Sequence, residues 1–147
     1  MKPSAYITAM LAALLSFSCN SPVGPDLRAV WCQTDRTDYV IEGYLGMDTV
    51  KAAIVNYLAD TIAVVNCNGT FTLQIYARGA WSDYFPGMFD CAGWFTDLAP
   101  DQSMHDSYEL FAPVNYPTGF YRMRFSYSEN GQRFAHGYSN PFRIRTE

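Results

Sequence analysis

Four cysteines and two histidines carry most of the chemistry that this 147-residue chain could perform. A thiolate can attack a substrate or bind a metal, but it needs a nearby base or further ligands at short spacing. The sequence has no Cys-x-x-Cys and no His-x-x-x-His, and His105 and His136 stand alone. It also lacks Gly-x-Ser-x-Gly and a phosphate-binding glycine loop. We therefore expect no metal site, no cofactor and no catalytic site, and we predict that the protein is not an enzyme.

The first cysteine, Cys19, follows an N-terminal segment with the features of an export signal. Lys2 gives a positive start, residues 6–17 are mostly apolar, and a serine directly precedes the cysteine. An apolar stretch of about 7–15 residues with small residues before the cut is typical of a secretory signal peptide. It is too short for a membrane span, which needs about 20 apolar residues. We predict a signal peptide over residues 1–18.

This leader resembles those of bacterial lipoproteins, in which the cysteine after the cut is acylated. The resemblance implies a lipid on Cys19 and makes the membrane a partner through that anchor. Residues 19–34 then form a tether, because the Pro and Gly residues near its start disfavour regular structure. Asn20, rather than Asp, as the second mature residue implies the outer membrane or the cell surface. Without acylation, Ser16-Phe17-Ser18 matches ordinary secretion and implies a secreted or periplasmic protein.

The other cysteines, Cys32, Cys67 and Cys91, would meet an exported environment that permits disulfides. Three thiols allow three single bridges, each of which leaves one thiol over. We favour Cys67–Cys91, because this bridge joins the turn at Asn68-Gly69 to the irregular segment after Trp81. Closing a loop of that length contributes about 3–4 kcal/mol in the chain-entropy model. Cys32 is then left as a free thiol, which we expect to be buried.

The charge balance excludes one class of partner. Ten Lys and Arg residues stand against fourteen Asp and Glu residues, for a formal net charge of −4. Because binding to phosphates needs a basic excess, we expect no nucleic-acid partner. Alternation does place Arg122 with Arg124, and Arg143 with Arg145, on one strand face each. We interpret this basic stripe as a solvated outer face balanced by carboxylates, with binding of an anionic polymer as the alternative.

Short alternating segments predict the fold class. Residues 70–75 alternate between polar and apolar types, which gives one apolar and one polar face. Similar segments recur at roughly 8–12-residue spacing, separated by hairpin signals at Asn68-Gly69 and Asn130-Gly131. No stretch shows a sustained helical period. We predict an all-β fold, an antiparallel β-sandwich of seven to nine strands over residues 35–147, with a long irregular segment over residues 83–102.

One segment before a late strand carries a family resemblance. Tyr116-Pro117-Thr118-Gly119-Phe120-Tyr121 resembles the tyrosine corner of immunoglobulin-like domains, whose phenol bonds back to upstream backbone. The resemblance implies an immunoglobulin-like sandwich with Tyr121 buried at the corner. Met123 stands where antibody domains have a cysteine, so this chain lacks their intersheet disulfide. With Gly79-Ala80-Trp81 and the closing Ser139-Asn140-Pro141-Phe142, the chain resembles small bacterial lipoproteins, and more faintly the bacterial intracellular proteinase inhibitor fold.

The corner also fixes which way its strand faces. If Tyr121 points inward, alternation turns Arg122 toward water. We expect Tyr121→Phe to cost about 1–3 kcal/mol by leaving a buried partner unsatisfied. We expect Arg122→Ala to cost about 0.5 kcal/mol or less, as surface changes usually do.

An aromatic-rich segment, residues 81–95, is the candidate binding surface. Its rings are Trp81, Tyr84, Phe85, Phe89, Trp94 and Phe95. Exposed rings beside carboxylates can stack on sugars and hydrogen-bond to them, whereas rings that cap the end of a sandwich belong to its core. We favour the core interpretation and keep the surface as the alternative.

The expected function is that of a non-enzymatic binding or accessory module, anchored in the bacterial envelope, with a protein or a glycan as its partner. One alternative is a proteinase-inhibitor-like domain that inserts an exposed loop into a protease cleft. The other is a glycan-binding module that uses the aromatic segment. Fold alone does not choose among them, because sandwiches host many functions.

Overall fold

The computed structural model describes residues 30–43, 45–66, 69–84, 93–112, 114–131 and 133–147. The described residues form eleven strands: β1 (Val30–Thr34), β2 (Asp38–Ile41), β3 (Met47–Asn56), β4 (Ile62–Asn66), β5 (Thr72–Ala77), β6 (Ala80–Asp83), β7 (Trp94–Leu98), β8 (Ser103–Phe111), β9 (Gly119–Glu129), β10 (Arg133–Tyr138) and β11 (Phe142–Thr146). In the same part of the chain, no helix has the length and hydropathy that a membrane span needs.

Several predicted features lie outside the described residues. They are the signal peptide over residues 1–18, the lipidated Cys19, and both partners of the predicted bridge, Cys67 and Cys91. The lipid anchor and the disulfide therefore stay predictions.

Two sheets face each other across one core. The smaller has the order β1-β3-β8. The larger is built around β9, which pairs with β4 and β5 along one edge and with β10 and β11 along the other. β7 flanks β4, β6 flanks β5, and β2 runs parallel to β11. The predicted all-β sandwich class is confirmed, and the eleven described strands exceed the seven to nine expected.

The strands β4 and β5 correct one sequence prediction. The Asn68-Gly69 signal predicted a hairpin, yet β4 and β5 do not pair with each other. Both lie antiparallel to β9, β4 beside Tyr127–Glu129 and β5 beside Tyr121–Arg124. They follow one another along the same edge and run in the same direction. Thr70, just before β5, is held to the smaller sheet, because its backbone N and its hydroxyl both donate to the Asp106 carboxylate.

Two further strands lie where regular structure was not expected. β1 falls within the range 19–34 assigned to the tether, so the folded chain starts no later than Val30 rather than at residue 35. It forms because Val30, Cys32 and Thr34 alternate inward and pair with β3. β7 falls within the segment 83–102 predicted to be irregular, where it adds to the edge of β4.

The β10–β11 connection joins the two sheets at one edge. Cys32 and Ser139 form an isolated parallel bridge, and Asn140 N donates to the Cys32 carbonyl at 3.3 Å. The Asn140 side chain accepts from Thr34 N and donates to Thr34 Oγ1, both at 2.8 Å. The closing Ser-Asn-Pro-Phe motif of the sequence therefore has a structural role, which is to hold β1 against the larger sheet.

The tyrosine corner is present. Tyr121 is fully buried, and its hydroxyl donates to the Pro117 carbonyl at 2.5 Å. Burial raises the pKa of the Tyr121 phenol, and the neighbouring Tyr84 raises it further by a smaller amount. The predicted inward orientation of Tyr121 is confirmed, and with it the register that turns Phe120, Arg122 and Arg124 of β9 outward.

One glycine is required by packing in the core. Gly137 lies opposite Phe125 on the inner face of the larger sheet. A Cβ at Gly137 would lie 2.1 Å from Cζ of the Phe125 ring. That ring is buried and packs edge-on against Phe71, with centroids 6.3 Å apart, so it has little room to move.

Candidate functional site

The outer face of the larger sheet carries an unusual number of exposed rings. The register of β9 with its neighbours places five aromatics on this face, each 41–63% exposed: Tyr76, Phe95, Phe120, Phe134 and Tyr138. Single exposed apolar residues are common, whereas several large exposed rings on one face make that face a candidate interaction surface. We call this surface the aromatic face.

A cation–aromatic ladder lies at the centre of the aromatic face. The Arg122 guanidinium carbon is 3.9 Å from the centroid of the Tyr138 ring and 4.5 Å from that of Trp81. Trp81 in turn lies 5.2 Å from Tyr76, centroid to centroid. The four side chains come from β10, β9, β6 and β5, so the ladder crosses the sheet. It fixes the plane of the guanidinium between two rings.

Hydrogen bonds hold the base of the ladder in place. Arg122 Nε donates to Gln74 Oε1 at 2.8 Å, and Gln74 Nε2 donates to Asp83 Oδ1 at 2.7 Å. The other oxygen of Asp83 pairs with Arg124 Nη2 at 3.0 Å. Gln74 is buried, and both ends of its amide are satisfied, as buried polar groups require. Asp83 is thus shared between Gln74 and Arg124 and is not paired with Arg122.

The electrostatics of Arg122 follow from this arrangement. Burial lowers the pKa of its guanidinium, the nearby Arg124 charge lowers it further, and Tyr138 acts in the opposite direction. An arginine nevertheless stays charged in proteins. Among the described residues, neither Nη1 nor Nη2 of Arg122 has a hydrogen-bond partner. The ladder therefore presents a fixed positive charge with two open donor groups.

These contacts correct the expectation for Arg122. Its predicted outward orientation is confirmed, but the view of it as a free surface residue is wrong. Strand alternation shows the face on which a side chain lies, yet it does not show which neighbours cover it. The covering rings of Trp81 and Tyr138 come from β6 and β10, whose pairing with β5 and β9 sets their position.

The predicted aromatic surface over residues 81–95 does not form one array. Trp81 belongs to the ladder, whereas Tyr84 packs inward against the rings of Tyr116 and Tyr121 at 5.5 and 5.8 Å. The Tyr84 hydroxyl donates to the Asn115 carbonyl. The remaining members divide as follows: Phe95 lies on the aromatic face, Trp94 lies on the opposite face of β7, and Phe85 and Phe89 lie outside the described residues.

Two of the four arginines in the basic stripe form ion pairs. Arg124 pairs with Asp83, and Arg145 pairs with Asp38 at 2.7 Å and with Glu147 at 3.0 Å. This agrees with the interpretation of a balanced outer face for those two arginines. Arg143, which lies opposite Phe120, has no ion pair within the part of the chain that the structure describes.

The aromatic face offers little covalent chemistry. Ser126 Oγ and His136 Nδ1 lie 3.0 Å apart on it. A Ser–His pair acts as nucleophile and base when a third group orients the histidine, and no described carboxylate hydrogen-bonds to His136.

The Cys32 thiol is fully buried, and burial raises its pKa from 9.0 to about 12. A thiol of that kind is inert at neutral pH.

Comparison with known proteins supports the fold. No protein-family model and no curated protein matches the sequence. Among solved structures, the X-ray structure of the Northeast Structural Genomics Consortium target SoR45 matches with a TM-score of 0.54 and 16% identity, covering 80% of this chain and 87% of that one. A family 123 glycoside hydrolase from Clostridium perfringens matches with a TM-score of 0.36 and 8% identity. The match covers 79% of this chain and 27% of the hydrolase chain. The first match shows a shared all-β fold, and the second is too distant to show even that.

Proposed function

We propose that this protein is a non-enzymatic glycan-binding module, held in the bacterial envelope by a lipid on Cys19, and that its binding surface is the aromatic face. The observation that carries the proposal is the group of five exposed rings on the outer face of the larger sheet. A folded protein leaves that much aromatic surface in water at a cost in free energy, which a bound partner would remove.

A sugar chain fits the shape and chemistry of this face. The apolar C–H faces of sugar rings pack on aromatic side chains, and their hydroxyls need polar partners at the margin. Here the rings stand on one face of a single sheet, and Ser126, His136 and Thr72 lie among them. A protruding loop would instead favour the inhibitor alternative, but residues 85–92 lie outside the described part of the chain.

The position of the anchor suits this use. The residues before Val30 lead into β1, which belongs to the smaller sheet. The aromatic face is on the outside of the larger sheet, which is the other layer of the sandwich. A protein attached through the residues before Val30 can therefore present this face to a partner. The leader, the position of Cys19 and the resemblance to lipoprotein signals support the anchor.

Binding of the purified full-length protein to polysaccharides in affinity gels tests the proposal. We expect retarded migration in at least one polysaccharide gel, and a roughly tenfold or larger loss of affinity for the Tyr76→Ala and Phe120→Ala variants. The Trp94→Ala variant is the matched control, because Trp94 is 79% exposed but lies on the other face of its strand. Equal losses for all three variants, or no binding to any polysaccharide, would overturn the proposal.

A further inference from the structure

We infer that the ligand of the aromatic face is an acidic glycan, and that the open edge of the Arg122 guanidinium binds a carboxylate of its sugar units. This inference rests on the proposed function and specifies the class of sugar. Its basis is the geometry of the cation–aromatic ladder rather than the exposed rings around it.

The ladder fixes the orientation of the Arg122 guanidinium in a way that suits binding of a planar anion. Stacking between Tyr138 and Trp81 fixes the guanidinium plane, and the Nε bond to Gln74 fixes its rotation within that plane. Nη1 and Nη2 have no described partner. A guanidinium offers two parallel N–H donors that match the two oxygens of a carboxylate. Because the arginine is already ordered, little conformational entropy is lost when a carboxylate binds.

The local charge favours an anion although the chain as a whole is acidic. Asp83 is the carboxylate nearest the ladder by register, and its oxygens are engaged by Gln74 and Arg124. Two arginines and one aspartate leave a net charge of +1 at the centre of the face. Arg143, opposite Phe120, is exposed at the margin of the face, and the carboxylate of Asp38, its register neighbour on β2, offsets its charge. The partly buried charges of Arg122 and Arg124 are screened less by salt than fully exposed charges.

The surrounding rings select a sugar acid over a simple anion. A free carboxylate would meet only the guanidinium edge, whereas a uronic acid unit also places its ring near Tyr76 or Tyr138. A sulfated sugar offers the same negative charge with a tetrahedral group in place of a planar one. We therefore assign the carboxylate and use the sulfate as a comparison in the test.

The test compares four polymers with the purified full-length protein: polygalacturonate, its methyl ester, dextran sulfate and dextran. We expect polygalacturonate to bind at least about tenfold more tightly than each of the other three. The methyl ester keeps the sugar backbone and removes the charge, so this comparison needs no variant. Equal affinity for polygalacturonate and its ester would overturn the inference but leave the glycan-binding proposal standing. Equal affinity for dextran sulfate would overturn the carboxylate assignment. Binding to none of the four would overturn the inference, and the wider gel survey would then decide the proposed function.

Variants of Arg122 locate the site. Arg122→Lys keeps the charge but loses the planar pair of donors, and we expect it to lose about tenfold or more of the affinity for polygalacturonate. Arg122→Gln, which removes the charge, should reduce binding to the level of the methyl ester. Arg133→Gln is the matched control, because Arg133 is exposed on β10 outside the ladder. Equal losses for Arg122→Lys and Arg133→Gln would show a general charge effect and overturn the inference.

Discussion

The guanidinium of Arg122 packs on the ring of Tyr138 with 3.9 Å between the guanidinium carbon and the ring centroid. The two residues are 16 positions apart in the chain and meet because β10 folds back on β9, which sets Tyr138 opposite Arg124. On the other side of the guanidinium lies Trp81, from a hairpin along the opposite edge of β9. Arg122 thus connects both halves of the larger sheet on its outer side.

This contact predicts a stability effect larger than that of a free surface residue. Arg122→Ala removes two cation–π contacts and the hydrogen bond to Gln74, and we expect a loss of about 1–2 kcal/mol. Arg133→Ala, on the same sheet but outside the ladder, should change stability by about 0.5 kcal/mol or less. Chemical denaturation measures both. Similar values for the two variants would show that the ladder does not stabilise the sheet.

The tyrosine corner predicts a difference between two phenols on the same strand. Tyr121→Phe leaves the Pro117 carbonyl without its donor, and we expect a loss of about 1–3 kcal/mol. Tyr127 also points inward from β9, but its hydroxyl has no hydrogen-bond partner among the described residues, so Tyr127→Phe is the control and should be close to neutral. The free energies of unfolding of both variants decide this. A neutral Tyr121→Phe would rule out an energetic role for the corner.

The buried thiol of Cys32 predicts a pH dependence of stability. Its pKa is 9.0 when exposed in the unfolded chain and about 12 in the fold, so above pH 9 the unfolded state loses this proton first. The contribution to stability is fully present below pH 9 and falls as pH rises, by up to about 1.4 kcal/mol per pH unit. Between pH 9 and 10 each buried tyrosine contributes less than Cys32, because its unfolded pKa is 10.0, and the tyrosine contributions are common to the protein and to a Cys32 variant.

Denaturation of the protein and of Cys32→Ala at pH 8, 9 and 10 measures this slope. The variant is expected to be less stable at every pH because it leaves a cavity in the core. Its stability should nevertheless fall less steeply between pH 9 and 10. Parallel curves for the two proteins would show that Cys32 does not titrate on unfolding.

The leader predicts a lipid on Cys19. The intact mass of protein extracted from membranes should exceed that of the processed polypeptide by its acyl groups, and Cys19→Ser should move the protein to the soluble fraction. Asn20→Ala keeps the cysteine and serves as the control, which should stay in the membrane fraction. An unmodified N-terminal Cys19 would contradict the predicted lipid anchor.

Local patterns in the sequence were enough to predict the fold class and the corner. Alternation in 70–75 and around Tyr121 reports which residues face the core, because the period of a strand is two. The prediction that failed concerned which strands pair with each other. Asn68-Gly69 is a strong local turn signal, but β4 and β5 both pair with β9, and this pairing depends on residues more than 45 positions away.

The site was harder to predict for the same reason. Trp81 was identified because it lies in an aromatic-rich segment, whereas its neighbours in the ladder, Tyr76 and Tyr138, were missed. They come from two other strands, and only the registers of β6 with β5 and of β10 with β9 bring them beside Arg122. Charge and ring composition showed that such a face was possible. Alternation within single strands could not show that it is assembled on one side of the larger sheet.

Chemical-shift mapping of the isotope-labelled full-length protein during titration with galacturonate oligomers tests the central claim most directly. If the aromatic face binds an acidic glycan, backbone amides of β5, β6, β9 and β10 and the Nε–H of Arg122 shift in proportion to occupancy. Shifts confined to β1, β3 and β8, the strands of the smaller sheet, would contradict the assignment of the face. The absence of any shift at saturating concentrations would contradict the acidic-glycan claim itself.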